Sequence, residues 1–409
     1  NGKADILRWE ILYKYGGVFI DADSICIEPI DDELMNKKSF AGWEQEELRK
    51  GLIATGTMGF PIGHPLVGSA IKWILKNEVS QQKGQMMAWQ SVGPGLLTRM
   101  YNTGAFKDLH IFPSYTFLPI HLTGKEYHGH GKIYAYQAWG STKQSYDTMN
   151  SMQLPQQFEK PPPENSVSIL MSNYNTKGSY IQECLDSIKH QVGRFNIELV
   201  CINDGSDPLN TTLLKRYLDH FAKTTRFTTV IYEENECNKG LGYSLNKGVN
   251  ICSHELIIRM DTDDIMVPDR IHKQLQYMFA NPHIMICGSQ IKCFKGSINN
   301  IINVTKHPSL TWEQYKAKPS HWISNAPTVC YRKQSIIEAG SYDVNKPRMV
   351  EDLDMTLRML KTHGYIHNLD EPLLYYRLHE NQVTHQGGIE GPAHWHKIRL
   401  DLINNLINS

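Results

Sequence analysis

The chain has 409 residues, 41% apolar and 21% charged, the profile of a protein with hydrophobic cores and room for two or three domains. Its 42 basic residues balance 42 acidic ones, so no bulk charge favours nucleic acid or an anionic membrane as partner. No apolar run reaches the length of a transmembrane span. The eight cysteines form no C-x-x-C pair, and several lie in apolar runs such as Cys201 in "ELVCIND". They read as reduced core residues in a cytosol-like compartment, with no zinc site; the sequons at Asn210 and Asn303 then carry little meaning.

The first residue, Asn1, is not methionine, and a helical pattern begins almost at once. "ADILRWEILYKY" (4–15) places Ile6, Leu7, Ile11 and Leu12 on one face, with Trp9 and Tyr13 flanking. The simplest reading is a chain that starts partway through its first domain, with no signal peptide. "GGVFIDAD" (16–23) follows: two glycines, three apolar residues, then Asp21 and Asp23. A buried strand that ends in two carboxylates one residue apart is costly unless something cationic sits there.

Helical and strand-like patterns alternate to about residue 140, with turns at "GTMGFPIGHP" and "SVGPG". "SMQLPQQFEKPPPEN" (151–165) has no apolar period and carries three consecutive prolines, which predicts an extended spacer. The predicted organisation is a first domain over 1–150, this linker over 151–165, a second domain over 166–390 and a C-terminal helix over 391–409.

The second domain opens on "SVSILMSNYN" (166–175), a continuous apolar run of the kind found in buried parallel strands. The helix-like "SYIQECLDSIKHQ" (179–191) and a second strand, "IELVCINDGSD" (197–207), come next. A helix over 211–224, the strand "FTTVIYEENE", a Gly-rich turn into a helix over 238–253 and the strand "HELIIRMDTDD" complete the alternation. Strand and helix in turn predict an α/β fold with a doubly wound sheet, whose ligands bind at the carboxyl ends of the strands. Asp204 and the Asp261–Asp264 cluster fall at such ends.

Residues i and i+2 of a strand point the same way, so Asp261 and Asp263 can face one site. Two hard oxygen ligands suit Mg²⁺ or Mn²⁺, whose remaining positions accept water or phosphate oxygens, so a diphosphate partner is natural. The alternative is an N-cap cluster for a helix starting near Pro268, a role that fits Asp264.

"VSILMSNYN", "INDGSD", "NKGLGYSLNKGV", "IIRMDTDDIMVPDRIHKQ", "VEDLDMTLRML" and "EPLLYYRLHENQVT" occur in the order seen in glycosyltransferase family 2, and residues 166–385 resemble that family. The resemblance implies a GT-A fold and inverting transfer of a sugar from a nucleotide sugar. It implies that Ser172 and Tyr174 line the nucleotide pocket, that Asp204 contacts the base and that Lys239 and Gly240 lie near the nucleotide. Asp261 and Asp263 would hold the metal and diphosphate, with Asp263 the more direct ligand. Asn203 stands where the family usually has an aspartate. Asp352 would be the general base with Glu351 its neighbour, a role compatible with the first turn of a helix. His379 would reach the metal or diphosphate.

"ADILRWEILYKYGGVFIDAD" resembles the donor-site segment of glycosyltransferase family 32 and the sugar-transferring segment of the large clostridial toxins. Asp5, Arg8, Gly16, Gly17, Asp21 and Asp23 fit that pattern, and "SVGPGLLTRM" (91–100) fits its later Gly-Pro segment. Asp5 and Arg8, at i and i+3, share a helix face and would touch the sugar. Asp21 and Asp23 would manage metal and diphosphate. In "YAYQAWGST" (134–142), Gln137 stands where the family has a metal-binding histidine, and the family's first strands would precede Asn1. The resemblance implies a second, retaining GT-A-like domain, incomplete at its start.

Together these imply an enzyme that uses Mn²⁺ or Mg²⁺ and a nucleotide-sugar donor, a UDP-sugar foremost. Its acceptor would be a glycan, a lipid-linked molecule or a protein. The expected location is cytoplasmic, free or peripheral to a membrane. One rival is a haloacid-dehalogenase-like phosphatase, because "LIIRMDTDDI" is similar to that family's nucleophile strand; Ile265 in place of its Thr or Val argues against it. The other rival is a non-catalytic glycan-binding protein derived from transferase domains.

Overall fold

The computed structural model describes residues 2–77, 87–143, 155–320, 322–346, 350–380, 382 and 391–408. The first four residues of the expected spacer lie outside these. The chain forms two compact units: Asn1–Tyr127 with Gly131–Phe158, and His128–His130 with Glu159–Ser409. No helix among the described residues is long and apolar enough to cross a membrane.

The first unit contains β1 (Gly17–Ile20), β2 (Ser24–Cys26), β3 (Ser39–Trp43), β4 (Ile53–Phe60), β5 (Leu109–Phe112) and β6 (Ala135–Gln137). Its main sheet has the order β1-β4-β3-β5, and β2 pairs with β6 separately. Only β3 and β5 run parallel; β1 and β3 both lie antiparallel to β4. The expected doubly wound parallel arrangement is therefore not what this sheet shows. The chain returns from β3 to β4 through the short loop 44–52, too short for the crossover that a parallel neighbour requires.

The opening helix, Gly2–Tyr15, buries Arg8, Trp9 and Leu12. Leu7 and Ile11, expected on the inner face, are 54% and 38% exposed. The helix is rotated because Arg8 and Trp9 find internal partners for their polar ends. Trp9 Nε1 donates to the Val92 carbonyl at 2.7 Å, and Arg8 Nη1 donates to the Thr55 carbonyl at 2.6 Å. A satisfied indole buries more apolar surface than an isoleucine. Gly16 ends the helix at φ +64, where a Cβ would lie 2.7 Å from the Ile62 nitrogen.

The second unit contains β7 (Ser166–Asn173), β8 (Asn196–Asn203), β9 (Thr228–Glu234), β10 (Leu256–Asp261), β11 (Ile265–Met266), β12 (Ile286–Phe294), β13 (Ile301–Val304), β14 (Leu310–Thr311), β15 (Cys330–Arg332) and β16 (Tyr365–Arg377). Its sheet has the order β11-β16-β12-β15-β10-β7-β8-β9, with β13 on β12 and β14 on β16. The strands β10, β7, β8 and β9 are parallel, and β15 breaks the pattern by pairing antiparallel with both β10 and β12. Side chains alternate between two cores. Val167, Ile169 and Met171 of β7 face the helices Gly178–Lys189, Pro208–Thr224 and Arg270–Ala280. Leu170 faces the other way, with Leu245 and Val249 of the helix Leu241–Ile251 and Met355 and Leu360 of the helix Glu351–His363. Helices on both faces explain why the strands read as unbroken apolar runs.

The proline segment is held by this unit. Asn196 Nδ2 donates to the carbonyls of Pro161 and Pro162 at 3.2 and 3.1 Å. His130 is buried in the same unit, its ring nitrogens 2.9 Å from the Gln191 carbonyl and 3.2 Å from the Phe195 carbonyl. A boundary drawn at 151–165 leaves this histidine out.

After β8 the chain makes a sharp turn at Gly205, with φ +68, and a Cβ there would sit 2.3 Å from the Cys237 carbonyl carbon. Gly205→Ala should therefore combine left-handed strain with a backbone clash. We expect urea unfolding to show a loss of at least about 2 kcal/mol. A change within 0.5 kcal/mol would mean that the 237–238 backbone yields freely.

Candidate active site

Strand β10 delivers its carboxylates at the edge of the parallel half of the sheet, with Asp261 in register beside Ser172 of β7. One oxygen of each of Asp261, Asp263 and Asp264 falls within 4.8 Å of the others. Burial pushes Asp261 up to about 6; Arg259 opposes this, and Asp263 and Asp352 add to it. Asp264 is driven well above the usual carboxylate range by burial, and then by Asp263 and Asp261. Carboxylates that raise one another's pKa in this way are relieved by a hard cation. The donor set fits Mn²⁺ or Mg²⁺: clustered oxygens, one of them, Asp264 Oδ2, buried with no hydrogen-bond partner among the described residues.

His379 touches this cluster at one member. Its Nε2 lies 2.8 Å from Asp263 Oδ2. Asp264 does not cap the helix Arg270–Ala280, whose N-cap is Asp269. Its Oδ1 instead accepts the Arg377 backbone N–H at 2.9 Å. Arg377 Nε donates to the Asp263 carbonyl at 2.7 Å, and its Nη2 pairs with Glu183. One arginine at the end of β16 thus fixes the turn that carries the acids. No local pattern announced it, because its partners lie more than a hundred residues away.

Arg259 is the second organiser. It is 2% exposed, with Nη1 2.6 Å from Asp261 Oδ2 and Nη2 3.3 Å from Asp352 Oδ2. Burial works against its charge, but the two aspartates outweigh that and raise its pKa. A charged residue within the apolar "LIIRMD" requires buried partners, so this arginine was findable from sequence. Asp352 lies in the first turn of the helix Glu351–His363. Its Oδ1 has no partner among the described residues. Glu351 is buried and pushed up to about 7, mainly by desolvation and then by Asp352. Its Cβ lies 3.3 Å from where a Cβ on Gly242 would be, which brings the starts of two helices together.

Asp204 is nearly inaccessible and fully engaged. Its carboxylate accepts from Asn235 Nδ2 and from the backbone N–H groups of Lys239 and Gly240, each at 2.9 Å. It holds the loop that carries Lys239. Tyr174 is exposed beyond the end of β7, and Ser172 is half-buried at the end of that strand. The structure thus brings Ser172, Asp261, Asp263, His379 and Asp352 to one end of one sheet, with the Asp204-bound loop at the same end of β8.

In the first unit, Arg8 Nη2 lies 2.7 Å from Asp21 Oδ1 and 3.6 Å from Asp5 Oδ1. Burial pushes Asp21 up to about 6, with Arg8 opposing and Asp23 and Asp5 adding. Asp23 differs. One of its oxygens accepts from Gln137 Nε2, and the other accepts from the Gly140 N–H at 2.8 Å. The Gln137 carbonyl in turn accepts from Ser24 Oγ at 2.6 Å. Protein donors meet both oxygens of Asp23, whereas Asp264 Oδ2 in the second unit is buried with no hydrogen-bond partner among the described residues.

The pattern described as "Glycosyl transferase family 2" matches residues 168–339. A protein of Haemophilus influenzae, "Uncharacterized glycosyltransferase", is 30% identical over 235 residues, which is 57% of this chain and 84% of that protein. The chain belongs to glycosyltransferase family 2. The enzyme is also similar to "Amylovoran biosynthesis glycosyltransferase AmsE" of Erwinia amylovora, 28% identical over 58% of this chain and 86% of that one. It is likewise 28% identical to the Escherichia coli "UDP-Gal:alpha-D-GlcNAc-diphosphoundecaprenol beta-1,3-galactosyltransferase", over 58% of this chain and 85% of that one. Residues 1–41 match "Glycosyltransferase sugar-binding region containing DXD motif". The transferase therefore joins a DXD-containing sugar-binding region to a family 2 domain, and the phosphatase alternative falls away.

The contrast between the two acidic strand ends is testable with Mn²⁺ and UDP by calorimetry or electron paramagnetic resonance. We expect one Mn²⁺ per chain, lost in Asp263→Asn and retained in Asp23→Asn. A second ion that disappears with Asp23→Asn would show that Gln137 yields its place to metal.

Proposed function

We propose that the second unit transfers a sugar from a nucleoside diphosphate sugar to an acceptor hydroxyl with inversion at the anomeric carbon. The observation that carries this is the joining, through buried Arg259, of the carboxylate cluster and Asp352. An ion held by Asp263, Asp261 and His379 would offset charge on the departing diphosphate. Asp352, held by Arg259, removes the acceptor's proton. The acceptor oxygen bonds to the anomeric carbon as the bond to the diphosphate oxygen breaks. Arg259 keeps Asp352 oriented, and Glu351 stands beside it in the first turn of the helix. Ser172, Tyr174, Lys239 and Gly240 would receive the nucleotide, with Asp204 keeping their loop in place and, in this reading, near the base.

The galactosyltransferase relative, named for UDP-Gal and a diphosphoundecaprenol-linked sugar, supports a UDP-sugar donor and a lipid-linked acceptor here. We place the reaction in the cytoplasm, at a membrane surface. For the first unit we propose the donor-site arrangement of family 32, with Asp5 and Arg8 toward a sugar. A retaining transfer there would place an ion on a carboxylate that already accepts two protein hydrogen bonds. Cation-free sugar binding beside a single transferase centre accounts for the contacts more simply.

Chelation should abolish nucleotide release from the donor, and Mn²⁺ or Mg²⁺ should restore it; full activity in chelator would remove the cation from the scheme. Asp352→Asn keeps the shape of the side chain but cannot take the proton. With saturating acceptor its turnover should fall about 10²–10⁴-fold, or about 3–5 kcal/mol of barrier, while donor affinity by calorimetry stays unchanged. Glu351→Gln should cost less. Product linkage by NMR should be opposite to the donor's; a retained configuration would overturn the inverting mechanism.

A further inference from the structure

An exposed apolar element near the second site is the hairpin from β12 to β13. Ile298 at its tip is 42% exposed, and Ile301, Ile302 and Val304 of β13 are 38%, 57% and 45% exposed. The hairpin is well made. Lys295 N–H donates to the Asn300 carbonyl at 3.2 Å, Asn300 N–H to the Ser297 carbonyl at 2.8 Å, and Asn300 Nδ2 to the Lys295 carbonyl at 3.0 Å. Its tip therefore satisfies much of its own backbone and holds the isoleucines outward on a fixed frame.

Charge adds a second observation. From Arg270 to Trp312 there is no Asp or Glu, whereas Lys292, Lys295 and Lys306 lie on or beside the hairpin. In a chain of zero net charge this is a local excess of one sign, combined with exposed aliphatic residues. That pairing matches the boundary of an anionic bilayer, where apolar side chains enter the headgroup layer and lysines meet lipid phosphates. A second copy of the chain fits less well. Two such hairpins edge to edge would set lysine against lysine with no carboxylate between them.

Position gives the third. The hairpin leaves β12 at Phe294, which pairs in register with Arg377 and accepts the Leu378 N–H at 2.8 Å. The Arg377 guanidinium lies 4.7 Å over the Phe294 ring. Arg377 is the residue that shapes the Asp263–Asp264 turn, so the hairpin rises from the end of the sheet that carries the carboxylates.

We propose that the 292–306 hairpin seats the second unit on an anionic membrane surface and so brings the site to acceptors whose lipid end stays in the bilayer. The acceptor class rests on the transferase reading above; the membrane contact does not. The full chain, without donor or cation, should sediment with vesicles of phosphatidylcholine and 30 mol% phosphatidylglycerol, and not with phosphatidylcholine alone. Ile298→Ser/Ile302→Ser and Lys295→Gln/Lys306→Gln should each lower vesicle partitioning about tenfold or more. Both should leave donor turnover in detergent-free solution unchanged, which also reports that they fold. Absence of binding to the anionic vesicles, or binding indifferent to both double variants, would overturn the membrane proposal. A dimer in sedimentation velocity that Ile302→Ser abolishes, without vesicle binding, would assign the hairpin to self-association instead. Vesicle binding without nucleotide release from any donor would uphold the surface and sink the transferase reading of the site.

Discussion

A single guanidinium, buried between two carboxylates from different parts of the chain, is the constraint around which the second site is arranged. Arg259 is too deep to be solvated, so its charge must be met by protein. Asp261 meets it from the same strand and Asp352 from the first turn of a helix more than ninety residues later. That necessity brings the Asp261–Asp264 carboxylates and Asp352 within reach of each other. The sheet would tolerate many loop arrangements after β15, but few would place a carboxylate on the far side of this arginine. Arg377 imposes a similar demand from the other side, where it binds the Asp263–Asp264 turn by backbone and side chain together.

The two acidic strand ends look alike in sequence and differ in chemistry. Each places aspartates one residue apart after an apolar strand, and each raises at least one carboxylate pKa by burial. The second turns its spare oxygens toward a histidine and toward one another, whereas the first turns Asp23 onto an amide and a backbone N–H. In the first, the side chain of Gln137 is what meets Asp23. A neutral amide donates to a carboxylate through its N–H and has only its carbonyl oxygen to offer a cation.

The second unit was legible in the sequence because burial on both sides leaves unbroken apolar runs, and because its acids fall at strand ends. The first unit is less legible. Its opening helix presents Arg8 and Trp9 inward in place of Leu7 and Ile11, because hydrogen-bond partners at Thr55 and Val92 decided the rotation. Its sheet is mostly antiparallel, a consequence of a short loop that apolar period does not report. Asp204 falls at a strand end, as its sequence position implies, and there three donors from later in the chain converge on it. Such convergence depends on contacts across the fold, and no window of sequence contains it.

His130 belongs to the second unit although the chain on both sides of it belongs to the first. The units are therefore interleaved, and their order of assembly is constrained. Residue 130 leaves the ribosome before any strand of the sheet it joins, so its place between the Gln191 and Phe195 carbonyls is filled late, by a segment already tethered at both ends. The same interleaving limits recombination. A cut at the proline segment therefore separates the second unit from three of its own residues.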